Sequence, residues 1–224
     1  MVRPLAYGVG DTFRKLVTVF ALTFTLPAFS APVVAVLGDS LVAGYGLEQG
    51  DGLVPQTQTW LDDHGIEAKL VNAGVSGDTT AGGLSRLDWT LTPEVTAIVV
   101  ALGGNDVLRG IDPATSRENL DKILQTITSR GLPVLLVAAP APGNYGADYK
   151  TAFEAIYPDL AAKYQVPLFK GFIPSLVDGA ITQDDLKTHF QADGLHPNPA
   201  GVAIIVAAFG PVLADFIARE AVSN

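Results

Sequence analysis

Three short runs constrain this chain more than anything else in it. Val33–Leu37, Ala97–Leu102 and Val134–Ala138 are apolar at every position and rich in branched side chains. A strand with one wet face alternates apolar and polar residues, so a run with no polar position must be covered on both faces. A sheet sandwiched between helices gives that cover. Ala68–Asn72 and Val166–Phe169 are two further strand candidates with a mixed pattern. Helical stretches lie between the strands. Thr79–Leu91 opens on a Thr pair suited to an N-cap. Pro113–Arg130 sets Leu120, Ile123, Leu124 and Ile127 at i, i+3, i+4, i+7 spacing, and Gly131 closes it. Tyr149–Tyr164 reads as helix with a break near Pro158, and Pro199–Arg219, apolar nearly all round, reads as a buried last helix. Strands and helices in alternation imply an α/β fold, a doubly wound three-layer α/β/α sandwich on a mainly parallel five-stranded sheet. With no repeat, low-complexity tract or linker, residues 31–224 form one domain.

The first 30 residues stand outside this alternation. Arg3, Arg14 and Lys15 precede the apolar Leu16–Leu26, and Pro27 and Ala28-Phe29-Ser30-Ala31 follow. That is the order of a secretory signal peptide, and the apolar stretch falls short of the roughly 20 residues of a membrane span. Cleavage after Ser30 places Ala28 and Ser30 at the two small-residue positions, whereas cleavage after Ala31 would place Phe29 at one of them. An uncleaved anchor is the alternative. The mature chain is then a periplasmic or secreted monomer with no membrane anchor. Residues 1–30 carry three of the 14 basic and one of the 23 acidic residues, which leaves −11 on residues 31–224. So acidic a surface disfavours nucleic acid and anionic membrane. The chain has no cysteine, which removes disulfides, thiolate catalysis and Cys-ligated zinc.

In a parallel sheet the loops after the strands gather at one edge, where open α/β sheets hold their reactive groups. Those loops are Gly38–Gly46, Ala73–Asp78, Gly103–Gly110 and the Gly- and Pro-rich Pro140–Asp148. The first contains Ser40, a candidate nucleophile that needs a base and an oxyanion site to react. Of the three histidines, His64 sits in Asp-Asp-His-Gly at a helix end and His189 in an irregular polar stretch. His196 lies in Asp193-Gly194-Leu195-His196-Pro197. A carboxylate three residues before a histidine can accept its Nδ1–H and leave Nε2 free as a base, although the spacing alone is common. The order Ser40, Asp193, His196 is that of the α/β-hydrolases, but their G-x-S-x-G elbow is missing: Leu41 and Val42 follow Ser40, and Gly77 and Asp78 follow Ser76. Neither Gly-rich phosphate signature of a nucleotide binder is present.

Taken together, Gly38-Asp39-Ser40-Leu41, Gly74 within Asn72–Thr79, Gly103-Gly104-Asn105-Asp106 and Asp193-Gly194-Leu195-His196-Pro197 resemble the four blocks of the SGNH (GDSL) hydrolases, in that family's order and over nearly all of residues 31–224. Leu37–Tyr45, Ser76–Thr79 with Gly83-Leu84, and Leu102–Gly110 are more similar still to its branch of periplasmic thioesterase I/protease I/lysophospholipase L1 and arylesterases. The resemblance implies a flavodoxin-like sheet and a serine ester hydrolase that cleaves small carboxylic esters and thioesters through an acyl-enzyme, without metal or organic cofactor. It implies Ser40 as nucleophile, His196 as base and then acid, and Asp193 as its orienter. The oxyanion hole would be the backbone N–H groups of Ser40 and Gly74 and the side-chain amide of Asn105. Preset donors of this kind are worth about 2.7–4 kcal/mol each.

Plainer roles stand beside these. Ser40 would also serve as an N-cap, Asn105 as a turn former and Gly74 as a backbone requirement. Asp39, Asp78 and Asp106 read as structural carboxylates, Arg109 as the partner of a loop aspartate, and Ser76 as a spare hydroxyl. The implied substrate contacts are Val107, which stands where the close branch commonly has glycine, Asn144 and Tyr145 in the Pro140–Asp148 loop, and Leu195. A carbohydrate acetylesterase of the same superfamily, or a non-catalytic binding protein on this scaffold, are the alternative functions.

Overall fold

The structure, a computed structural model, describes residues 1, 2, 31–177, 179 and 181–223. The signal-peptide expectation for residues 1–30 therefore lies, apart from its first two residues, outside the described chain. Five strands, β1 (Val33–Gly38), β2 (Lys69–Gly74), β3 (Ala97–Ala101), β4 (Val134–Val137) and β5 (Leu168–Phe169), form one sheet. Their order is β2-β1-β3-β4-β5, and every described pairing is parallel. The helices are α1 (Ser40–Ala43), α2 (Leu53–Asp63), α3 (Thr80–Ser85), α4 (Leu87–Thr90), α5 (Gly104–Leu108), α6 (Pro113–Ser129), α7 (Ala147–Glu154), α8 (Ile156–Tyr164), α9 (Ile173–Leu176), α10 (Gln183–His189) and α11 (Pro199–Ser223).

Alternate residues of a strand point to opposite faces, and the apolar runs feed two cores accordingly. Val34, Val36, Val99, Leu135 and Val137 pack with Leu53, Val54 and Leu61 of α2 and with Val202, Ile205, Phe209 and Leu213 of α11. Ala35, Leu37, Ile98, Val100 and Leu136 pack with Leu120, Ile123, Leu124 and Ile127 of α6 and with Phe153, Ile156 and Tyr157 of α7 and α8. Each Val, Leu, Ile or Phe side chain among these contributes about 1.5–3 kcal/mol on burial. By length and hydropathy Pro199–Arg219 would suffice to cross a membrane, but half of its apolar stretch is buried within the domain. That burial accounts for its composition.

The register levels three strand ends: Gly38 stands opposite both Gly74 and Ala101. The loops after β1, β2 and β3 therefore start side by side.

Four expectations shift. Thr79–Leu91 is two short helices, not one. Thr79 caps α3 through Gly82 N–H, and the break falls at Arg86. The Arg86 guanidinium turns inward to donate to Ala73 O (2.7 Å), Gly38 O (2.9 Å) and Asp78 Oδ2 (2.5 Å). The helix near residue 158 breaks at Ala155 instead. Pro158 is the third residue of α8, where a missing N–H costs no helical bond. Val166–Phe169 contracts to a two-residue strand. The polar stretch around His189 is the helix α10, closed at its start by a reciprocal capping box between Thr182 and Asp185.

Candidate active site

Gly38 ends β1, and the chain turns at once into α1. Asp39 caps that helix, its Oδ1 accepting Leu41 N–H at 3.1 Å. The cap is thus the aspartate, and Ser40 is the first helical residue with its hydroxyl free for another partner. That partner is His196: Ser40 Oγ and His196 Nε2 lie 2.8 Å apart. His196 Nδ1 lies 2.6 Å from Asp193 Oδ2. A carboxylate can only accept here, so Nδ1 carries the proton and Nε2 accepts from the serine hydroxyl. Asp193 Oδ1 also accepts the backbone N–H groups of Leu195 (2.9 Å) and His196 (3.0 Å). The His196 side chain, followed by these backbone N–H groups, lowers the Asp193 carboxyl to about 2, so it stays charged.

Asn105 sits in α5, directly after β3, and donates from Nδ2 to Asp39 Oδ2 at 3.4 Å. Asp39 is almost wholly buried. Burial pushes its carboxyl upward, against the lowering effects of Leu41 N–H and of the His196 charge. Behind Asn105, the buried Asp106 accepts from Thr80 N–H (2.8 Å), Thr80 Oγ1 (2.6 Å) and Ser116 Oγ (2.8 Å). This carboxylate ties the loop after β2 to the loop after β3.

Gly74 departs from its expected role. Its N–H donates to Asn72 Oδ1 at 2.9 Å, so it is already committed. The glycine is required by packing instead: a Cβ there would stand 2.2 Å from Ala43 N. In the same loop, the N–H of Gly77 has no hydrogen-bond partner among the described residues. Gly77 has φ 84°, a conformation that suits glycine. The loop is pinned against β1 by Val75 N–H on Gly38 O (3.0 Å). It is held from the other side by the Arg109 guanidinium on Gly77 O (2.7 Å). Arg109 thus holds a loop carbonyl and not an aspartate. Asn72, two residues before Gly74, was the signal for its side-chain-to-backbone turn.

Ser40, Asn105 and His196 open onto a cleft of about 860 Å³. Its wall is mainly apolar and includes Leu102, Val107, Val137, Phe172, Ile173 and Val177. The Lys150 ammonium, also on the wall, is engaged by Ala141 O and Glu154. Val107 and Leu195 both line the cleft, Val107 buried and Leu195 at 45% exposure on its rim. Asn144 and Tyr145 do not line it. The 3-10 turn Gly143–Tyr145 carries them outward, and the Tyr145 hydroxyl donates to Leu108 O at 3.3 Å. The loop contributes Pro140–Gly143 to the wall. His64 stacks on Trp60 at the exposed end of α2, with ring centroids 3.8 Å apart, and neither it nor His189 lines the cleft. Among the described residues, no group of three His, Asp or Glu could hold a metal ion.

A sequence model of the GDSL-like Lipase/Acylhydrolase family matches residues 36–204. The chain is 39% identical to Esterase TesA of Pseudomonas aeruginosa over 178 residues, 79% of this chain and 85% of that protein. It is 34% identical to Thioesterase 1/protease 1/lysophospholipase L1 of Escherichia coli over 213 residues, 94% of this chain and 93% of that one. The crystal structure of AlinE4, an SGNH-hydrolase family esterase, superposes with a TM-score of 0.67 at 42% identity, covering 83% of this chain and 96% of that one.

Proposed function

The chain belongs to the GDSL-like lipase/acylhydrolase family and hydrolyses ester bonds, and we propose that it does so through an acyl-enzyme on Ser40. The observation that carries this reading is the continuous chain of short contacts from Ser40 Oγ through His196 to Asp193. In the proposed reaction Ser40 Oγ bonds to the substrate's carbonyl carbon while its proton passes to His196 Nε2. The tetrahedral oxyanion collapses, the C–O or C–S bond breaks, and the imidazolium protonates the leaving group. Water, deprotonated by the same nitrogen, then releases the acid.

Three donors serve the oxyanion in this reading. Ser40 N–H, first in its helix, has no helical carbonyl to bond. Asn105 supplies its amide, whose Nδ2 has a second N–H besides the one in long contact with Asp39. Gly77, not Gly74, supplies the third, because its N–H is unengaged. Asn105→Ala is expected to lower kcat by about 10²–10³-fold with little change in KM, measured by steady-state ester hydrolysis.

The substrates are esters and thioesters with an apolar acyl chain, since the cleft offers that chain an apolar wall. Each buried methylene is worth about 0.8 kcal/mol, or about fourfold in kcat/KM. A series of p-nitrophenyl esters and acyl thioesters should therefore climb steeply with chain length until the cleft is filled. A maximum at acetyl, with sugar esters preferred, would support the carbohydrate acetylesterase reading instead. Export to the periplasm or medium is part of the proposal and rests on the sequence of residues 1–30. Detection of the mature chain beginning at Ala31 outside the cytoplasm tests it.

A further inference from the structure

We propose that Tyr45 and Gln191 are a pair of positioning residues behind His196: the Tyr45 ring stabilises the protonated imidazole, and the Gln191 amide holds that ring in place. The inference rests on the assignment of His196 as base.

Tyr45 follows directly on Gly44, the residue that ends α1. Its ring centroid lies 4.7 Å from that of His196, at 40° between the planes. A cation within about 6 Å of an aromatic centroid is attracted by the ring's quadrupole. The imidazole becomes a cation only after Ser40 gives up its proton, so the attraction grows as the transition state forms. That differential interaction accelerates the reaction.

The backbone around Tyr45 fixes this geometry from both sides. Its N–H donates to Ser40 O at 3.0 Å. Its carbonyl accepts from Gln191 Nε2 at 2.8 Å. The same amide nitrogen donates to Pro197 O at 3.0 Å, and Gln191 N–H donates to His196 O at 2.8 Å. Gln191 thus links the segment after the nucleophile to Pro197 through its side chain and to the base His196 through its backbone N–H. Both amide protons are used on carbonyls, so a carboxylate in this place would face two acceptors. Contact at Gly46 is close: a Cβ there would stand 2.2 Å from Gln191 Oε1. The Tyr45 hydroxyl makes no hydrogen bond among the described residues, so the ring is the working part.

The other charged groups facing the imidazole are Asp193 on Nδ1 and the buried Asp39 beside Ser40. Lys150, elsewhere on the cleft wall, is engaged by Glu154. Replacing Tyr45 leaves these groups in place, so its contribution is separable.

The experiment is a pH profile of kcat/KM and of kcat for the wild type, Tyr45→Phe, Tyr45→Leu, Gln191→Ala and the Tyr45→Leu/Gln191→Ala double variant, each with its melting temperature checked. Losing the ring makes the imidazolium easier to deprotonate, so the acid limb of Tyr45→Leu should move to lower pH by about 0.4–0.7 unit. Its plateau kcat should fall about two- to fivefold. A residue that merely packs would lower the plateau without moving the limb. Tyr45→Phe should restore both. Gln191→Ala should shift the limb in the same direction, and the double variant no further than Tyr45→Leu alone, since the amide acts through the ring. An unmoved or upward-moving limb in folded Tyr45→Leu overturns the proposal, as do fully additive shifts in the double variant. Failure of the underlying assignment looks different: an active His196→Ala enzyme would remove the base itself, whatever Tyr45 does.

Discussion

Replacing Ser40 with alanine is expected to lower kcat on p-nitrophenyl esters by on the order of 10⁴–10⁶-fold while leaving the domain folded. The size follows from the chemistry. Without Oγ no acyl-enzyme forms, and what remains is the slow attack of water assisted by the oxyanion donors. Retention of the fold follows from the structure. The helix cap is Asp39, not Ser40, and among the described residues the serine hydroxyl hydrogen-bonds only His196. Loss of that hydrogen bond costs about 1 kcal/mol, or a fall of about 2–4 °C in Tm for a domain of this size. The variant should also lose covalent labelling by an organophosphonate or sulfonyl fluoride. Turnover near the wild-type rate in a correctly folded Ser40→Ala protein would remove the serine from the mechanism.

The sheet was legible wherever burial on both faces erased the polar positions. Val33–Leu37, Ala97–Leu102 and Val134–Ala138 became β1, β3 and β4 to within a residue of each end. Leu168–Phe169 lay inside the candidate Val166–Phe169 but two residues short of its start, because so short a strand at the end of a sheet leaves little pattern to set its bounds. The split between α3 and α4 was hidden for another reason. It falls at Arg86, whose side chain is drawn to Ala73 O, Gly38 O and Asp78, partners that helical periodicity does not reveal. By contrast, α10 announced itself through Thr182 and Asp185, a capping-box spacing that the sequence reading passed over.

The site divides along the same line. Asp193 and His196 lie three residues apart, so a local motif holds their relation, and the level ends of β1 and β3 bring Ser40 and Asn105 to one edge. Which loop N–H stays unengaged is a tertiary matter. Gly74 and Gly77 look equivalent in Asn72–Thr79 until the Asn72 side chain is seen to take the Gly74 N–H. The same holds for Asn144 and Tyr145, whose place in the Pro140–Asp148 loop implied contact with substrate and whose 3-10 turn carries them off the cleft.

The second large effect belongs to the base. His196→Ala should match Ser40→Ala in its loss of kcat, and the double variant should be no worse than either, because nucleophile and base act as one unit. His64→Ala should stay at the wild-type rate, since that ring is stacked on Trp60 outside the cleft. Asp193→Ala should cost less, about 10⁴-fold, because His196 Nε2 still faces Ser40 once its orienter is gone. The pH dependence separates the two groups. The Asp193 carboxyl is held at about 2, against 3.8 without its partners, chiefly by the His196 side chain. A depressed carboxylate gives its stabilisation fully above its unfolded value and loses it as the pH falls through the folded one. Protonation of Asp193 therefore matters only below about pH 4. With 39% of that side chain exposed, solvent also keeps its share of the stability small. Above that window two groups at the site remain to act: His196, whose Nε2 must be free to accept the serine proton, and Asp39, whose carboxyl burial pushes upward. Activity and fold should then part company on mild acidification, with kcat/KM falling while the melting temperature holds. A melting temperature that falls together with kcat/KM would mean that acid acts on the fold and not on the base.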